Sequence, residues 1–235
     1  MKSKWFRGLV IGIASAIVGA VLLLTGVLEG LEDTTFDLRA RLLAEPSVAT
    51  DDVVIILVDQ YSVDTLIETN ELTWPWPRSV HGYVVEFCRL ANVASLTYDL
   101  ILQDQGVFGP TDDNALLSAA EDLGRFEYAV ELNKAPDNPN PWPDHVRRPP
   151  VEFSGLETLN TEAREDLQFD RGVFPHLDVT APSAWIGFVN GEPDDDGVFR
   201  HYKLLSFHRG EPVPSLALAA YAAANGGEVA VEFNR

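Results

Sequence analysis

The chain has 235 residues, 17 of them Lys or Arg and 36 Asp or Glu, for a net charge of −19. Such a charge repels nucleic acid and anionic lipid headgroups and excludes both as partners of the acidic part. The single cysteine, Cys88, excludes an intrachain disulfide and lies in an apolar helical pattern that places it in the core.

The charge is unevenly spread. Residues 1–28 contain Lys2, Lys4 and Arg7 and no acid, so residues 29–235 carry 14 basic against 36 acidic side chains, a net of −22. An acidic surface of this kind is also common in saline habitats. The uncharged run Gly8–Leu28 has the roughly 20 apolar residues that a helix needs to span a bilayer. A secretory h-region is only about 7–15 residues long. The cationic flank favours a cytoplasmic N-terminus, with everything after Leu28 exported and tethered to the lipid bilayer. A cleaved signal is the alternative, because Ala14, Ser15, Ala16, Gly19 and Ala20 offer small residues, but Val21-Leu22-Leu23-Leu24 continues the apolar run past them.

Gly8, Gly12, Ala16 and Ala20 fall on one stripe at four-residue spacing. That is the pattern through which membrane helices approach each other, although small residues are common in such helices anyway. Leu28, Leu31, Thr35, Leu38 and Leu42 continue the helical spacing to about Leu43, with Asp37 and Arg41 one turn apart and a break at Pro46.

The rest alternates strand and helix. Val53–Val58 is a continuous β-branched and aliphatic run, the mark of a strand buried on both faces. Arg78–Leu90 reads as a helix burying Val80, Val84, Phe87 and Ala91, with Pro77 at its entry. Ala94–Leu102 reads as a strand. Thr111 is placed to cap a helix through Leu123 that buries Leu116, Ala120 and Leu123 and stops at Gly124. Phe126–Leu132 is the third strand. Residues 133–182 lose the pattern: Pro136, Pro139, Pro141, Pro143, Pro149 and Pro150 mark a surface insertion. Trp185–Val189 and Val198–Phe207 read as a hairpin around Asp196-Gly197. Ser215–Ala224 is a helix stopped by Asn225-Gly226-Gly227, and Glu228–Phe233 a last strand. The expectation is an α/β domain, three-layered, with a largely parallel sheet and one antiparallel hairpin, behind an N-terminal transmembrane helix. Its divisions are 1–28 (cytoplasmic tip and anchor), 29–45 (juxtamembrane helix) and 46–235 (exported domain).

Asp59, Asp99 and Asp104 stand near predicted strand C-termini, where open α/β sheets bind ligands. Two carboxylates there suit a cation or glycoside hydrolysis, or simply cap turns and bind arginines such as Arg78. In Trp74-Pro75-Trp76-Pro77-Arg78 the prolines restrain two indoles. The segment offers either an aromatic platform for a ligand or a rigid helix entry, with one Trp sealing the core and Arg78 bound to a carboxylate. Glu192–Gly197 is similar to a calcium loop, but Lys203 occupies the position that needs Glu, so it reads as a turn. The five histidines have no zinc spacing, and nucleophile-elbow, P-loop and dinucleotide motifs are absent, so neither an enzyme nor a cofactor is expected.

Several of these segments, in order, resemble the CHASE2 family of extracytoplasmic sensor domains. They are Leu31-Glu32 through Phe36-Asp37-Leu38-Arg39, Val54–Ser62, Trp74–Arg78, Thr97–Leu100, Asp112-Asp113, Asp196–Arg200 and Pro214–Leu218. The resemblance implies the input half of a bacterial transmembrane receptor, with the domain periplasmic; the Gly8–Leu28 run would hold it in the inner membrane by a single pass. Ligand contacts would fall at Asp59, Trp74, Trp76, Arg78 and Asp99, with a protein partner or a homodimer transmitting the signal and no metal involved. Gln60 stands where the family more often has an acid. Further membrane spans and an output domain usually follow in that family, whereas this sequence stops at Arg235. It is then a fragment of a longer receptor or a truncated relative working through a partner. A structural or accessory subunit docking on a membrane complex is the alternative function.

Overall fold

The structure is a computed structural model that describes residues 2–25, 27–45, 51–194 and 196–234. The chain divides into two compact units, Met1–Gln60 and Tyr61–Arg235.

The first unit contains helices α1 (Lys2–Leu24) and α2 (Val27–Leu43). The stretch Lys4–Leu22 has a mean hydropathy of 1.9 and none of it is buried, so it is long and apolar enough to cross a bilayer. Thr25 closes α1, its backbone N–H and its hydroxyl both donating to Val21 O at 3.0 and 2.8 Å. The single helix expected from Gly8 to Leu43 is thus assigned as two; Gly26 between them, and the break expected at Pro46, lie outside the described residues.

The strand expected at Val53–Val58 does not form. Residues 53–59 have no regular structure, and exposure along the run extends from 45% at Val58 to 84% at Val54. Branched side chains make a segment compatible with a pleated sheet, but a strand exists only where a neighbour completes its ladder.

The second unit begins with α3 (Gln60–Asn70, its first residue across the boundary), a helix the hydrophobic pattern did not announce because none of its residues is buried. Its centre is strand β2 (Phe126–Asn133), flanked in parallel by β1 (Leu96–Tyr98) and β6 (Trp185–Phe188). The end of β2 pairs antiparallel with β5 (Arg171–Val173). Two smaller sheets accompany it. In one, β3 (Val151–Ser154) lies parallel to β9 (Val229–Glu232). In the other, β7 (Leu205–His208) lies parallel to β4 (Gln168–Phe169) and antiparallel to β8 (Glu211–Pro214). The fold is therefore mixed α/β, with parallel and antiparallel strands behind an apolar N-terminal helix.

Register decides what each face of β2 meets, because successive side chains alternate. Phe126, Tyr128 and Val130 join Val85 of α4 (Arg78–Leu90) and Leu116 and Ala120 of α5 (Pro110–Leu123) in one core. A Cβ at Gly82 would stand 3.1 Å from Ala115 O, so glycine lets α4 lie close on α5. Thr97, Glu127 and Trp185 share the other face in one row. Gly187 lies on it too, and a side chain there would collide with Leu216 of α7 (Leu216–Ala224). Ser215 caps α7, its Oγ accepting from Leu218 N at 3.2 Å.

Four further expectations change. The buried stripe of α4 is His81, Gly82, Val85 and Cys88, while Val80 and Val84 are half-buried and Phe87 and Ala91 exposed. The true stripe lies one residue on, about 100° round the helix. Gly109, not Thr111, is the N-cap of α5, and Gly124 ends it in the left-handed conformation as expected. Residues 133–182 are not only surface: the short elements β3–β5 and the helix α6 (Thr161–Asp166) fall there, and Phe169, Phe174, Val179 and Ala181 enter the core. Finally, Trp185–Phe188 pairs with β2 rather than with 198–207. The late hairpin is β7–β8, turned by Arg209 and Gly210 at φ 53° and 88°, the two positive values of a type I′ turn. The Asp196-Gly197 turn does form, with Gly197 N–H donating to Asp194 O at 2.8 Å, but it joins no strands.

Candidate functional site

The Trp74–Arg78 segment enters α4, and the residues around it form one aromatic and charged cluster. Trp74 is 46% exposed and Trp76 is 7% exposed, their rings meeting edge-on at 5.2 Å. The Trp74–Pro75 bond is cis. One turn into α4, His81 packs between them and the sheet, 5.9 Å from Trp76 and 5.7 Å from Tyr98. The series continues inward through Phe126 to Tyr128, whose hydroxyl donates to Val179 O. Edge-on and tilted contacts of this kind add to plain burial and hold the rings in fixed orientations.

His81 Nδ1 is hydrogen-bonded to the Tyr98 hydroxyl. Burial, and then the nearby Arg78 charge, lower the His81 pKa to about 4, so at neutral pH the imidazole is uncharged, and its tautomer sets whether Nδ1 accepts from the Tyr98 hydroxyl or donates to it. Burial raises the Tyr98 pKa, keeping the phenol protonated. The pair is a neutral hydrogen bond rather than an acid–base couple at neutral pH.

Two acids from the first turn of α5 organise the start of α4. Asp112 accepts from the backbone N–H groups of Arg78 at 2.6 Å and Ser79 at 3.0 Å, supplying the cap that Pro77 lacks. Burial pushes the Asp112 pKa up, but the bonds from Ser79 and Arg78 outweigh it and leave it lowered. Asp113 is fully buried, accepts from Gly106 N at 3.0 Å and lies 3.7 Å from Arg78 Nε. Arg78 is therefore committed to the α4–α5 junction.

Of the candidate residues, the structure brings Trp74, Trp76 and Arg78 together. Asp99 is exposed and lies near Tyr202, whose pKa is raised by burial and then by the Asp99 charge. Asp59 is an exposed, partnered residue of the first unit. On α1, Gly8, Gly12, Ala16 and Ala20 are exposed, with open space around both glycines.

His81, Tyr98, Asp112, Asp113 and Glu127 were not singled out as functional residues. For His81 a signal existed: it stands three residues after Arg78, one helical turn on. Glu127 offered none, since a carboxylate inside a β-rich run ordinarily faces solvent. Here it is 0% exposed; Oε2 accepts from Thr97 Oγ1 at 3.3 Å, and Oε1 is buried without a hydrogen-bond partner. Burial raises its pKa to about 8, against the opposing effects of Thr97 and Arg125. Among the described residues no group of His, Cys, Asp or Glu is placed to hold a metal ion.

The model of the CHASE2 domain family matches residues 13–233. No curated protein and no solved structure matches the chain.

Proposed function

Because the chain belongs to the CHASE2 domain family, a family of sensory domains, we propose that it is the membrane-anchored extracytoplasmic input domain of a bacterial transmembrane receptor. The observation that carries this reading is the extent of the family match, which starts inside the apolar helix α1 and runs to the last strand. In this reading α1 spans the inner membrane once with Lys2, Lys4 and Arg7 in the cytoplasm. The exported α/β domain, three-layered with α7 on one side of the sheet and α4 and α5 on the other, binds rather than catalyses. The stripe Gly8, Gly12, Ala16 and Ala20 is the face through which two α1 helices approach. Trp74, half-exposed beside the buried Trp76 and His81 and the partly buried Arg78, is the contact point for a ligand.

Protease added to intact spheroplasts tests the topology: digestion of the domain is expected, and protection until the membrane is lysed refutes it. Replacing Ile11 and Ile17 by Asp, at roughly 3 kcal/mol each, is expected to release the chain from carbonate-washed membranes. Retention of the double variant removes α1 as the anchor.

A second reading, an accessory subunit docked on a membrane complex, is favoured by one observation. Tyr83, Phe87 and Leu90 form an apolar face on α4 that is 66–75% exposed. Stoichiometric co-purification with a membrane complex, without any ligand-induced rise in melting temperature, decides for it.

A further inference from the structure

A cleft of about 440 Å³ lies beside β5, sharing no residue with the Trp74–Tyr98 cluster. Its charge sets it apart. The chain beyond residue 28 has 36 acidic and 14 basic side chains, yet the cleft is lined by Arg171, His145 and His176 and by no carboxylate among the described residues. Asp178, two residues beyond His176, is engaged: it takes Gln105 Nε2 at 2.6 Å and lies 3.7 Å from His176 Nδ1.

The hydrogen bonds decide which groups are left for a ligand. Asn140 is consumed by Gly172, donating to its carbonyl and accepting from its N–H, both at 2.8 Å. His145 Nε2 donates to Pro175 O at 3.1 Å, which leaves Nδ1 as the ring's other nitrogen. His176 Nδ1 accepts from Asp178 N at 3.2 Å, so the proton of the neutral ring sits on Nε2, a donor. Arg171 spends Nη1 on Asn138 O at 3.3 Å, one of the five N–H donors of its guanidinium. The apolar wall is fixed. Phe174 is buried edge-on against Trp142 at 5.1 Å, and Trp142 is held by its Nε1 bond to Val146 O at 2.8 Å.

We infer that this cleft binds a small organic carboxylate, with Arg171 and His176 Nε2–H taking the carboxylate oxygens and Phe174 and its neighbours the apolar body. A planar guanidinium matches two carboxylate oxygens at once, and an open cleft with one fixed apolar side suits a small ligand whose charged end stays near solvent. With no carboxylate in its lining, the cleft offers an ammonium ligand no counter-charge. The inference does not depend on the sensory reading, because binding is measured directly.

The test is calorimetric titration of the detergent-solubilised full chain with four probes: benzoate, benzamide, benzylamine and inorganic phosphate. Benzoate is expected to bind with a Kd of about 1 mM or tighter, and each of the others at least tenfold more weakly. Arg171→Gln is expected to weaken benzoate at least tenfold and leave benzamide unchanged; His176→Ala, which leaves the guanidinium in place, is expected to weaken it severalfold. The probe series needs no variant, so a folding defect in either leaves the test intact. No benzoate heat, equal binding of benzamide, stronger binding of phosphate, or a folded Arg171→Gln chain that binds as before overturns the proposal.

Discussion

Val53–Val58 and Phe126–Asn133 make an instructive pair. The first has no polar side chain and is exposed throughout; the second carries two glutamates and buries six of its eight residues. Local hydrophobicity ranks them the wrong way round. What separates them is partnership. β2 has a strand on each side and sends Phe126, Tyr128, Val130 and Leu132 into the core, and even Glu127 is enclosed, whereas 53–58 has no ladder among the described residues. Burial is a property of neighbours, and a segment's own composition only makes it suitable for them.

Truncation inside β2 sharpens that contrast most. Phe126→Ala is expected to cost about 3–5 kcal/mol in urea denaturation, since the ring is enclosed by Tyr98 and Tyr128. A cost below about 1 kcal/mol would mean that the centre of the sheet is not tightly packed.

Glu127 gives the next effect, with the opposite sign. Its native pKa of about 8 lies above the ordinary 4.5, so its carboxyl is neutral in both states below pH 4.5 and costs nothing there. As pH rises, the unfolded chain ionises first, and stability falls until the native group also ionises near pH 8. Glu127→Gln keeps the shape without the charge. It is expected to stabilise the chain by up to about 3 kcal/mol at pH 7 and to flatten the urea midpoint between pH 5 and 8. An unchanged slope would show that Glu127 does not titrate in the fold.

Asp112→Ala removes the cap of α4 and is expected to cost about 1 kcal/mol by the same measurement. Because the Asp112 pKa is lowered in the fold, its contribution is present above the ordinary carboxylate range and is lost on acidification. The variant's deficit should therefore shrink towards low pH. Ile55→Ala completes the series. At 75% exposure it is expected to stay within about 0.5 kcal/mol of the parent. A loss as large as a core truncation would show that the run has a partner in solution and would dissolve the contrast with β2.

Elements with a one-sided apolar pattern and clear end signals are legible in the sequence. Arg78–Leu90, the helix ending at Gly124, the strand from Phe126 and the helix capped by Ser215 all appear within a residue or two of their expected limits. The failures share another character. Choosing the buried stripe of α4 required knowing that α5 crosses at Gly82, and pairing Trp185–Phe188 required knowing that β2 was free on that side. In the candidate site, the Trp-Pro-Trp-Pro-Arg segment stood out through its unusual composition. Its supports, Tyr98 from β1 and Asp112 and Asp113 from α5, come from elements distant in sequence, and no spacing rule links them.

Sequence alone determined that the chain begins with a cationic tip and an apolar helix of membrane-spanning length, that strands and helices follow, and that CHASE2 features occur in order. These depend on composition and short-range periodicity, which each segment carries by itself. Only the tertiary structure decided that a buried glutamate sits at the centre of the sheet, that the 133–182 segment supplies core residues, and that Arg171, His145 and His176 line one cleft. Those outcomes depend on which distant segments become neighbours, and burial, proton affinity and cavity shape are set by neighbours.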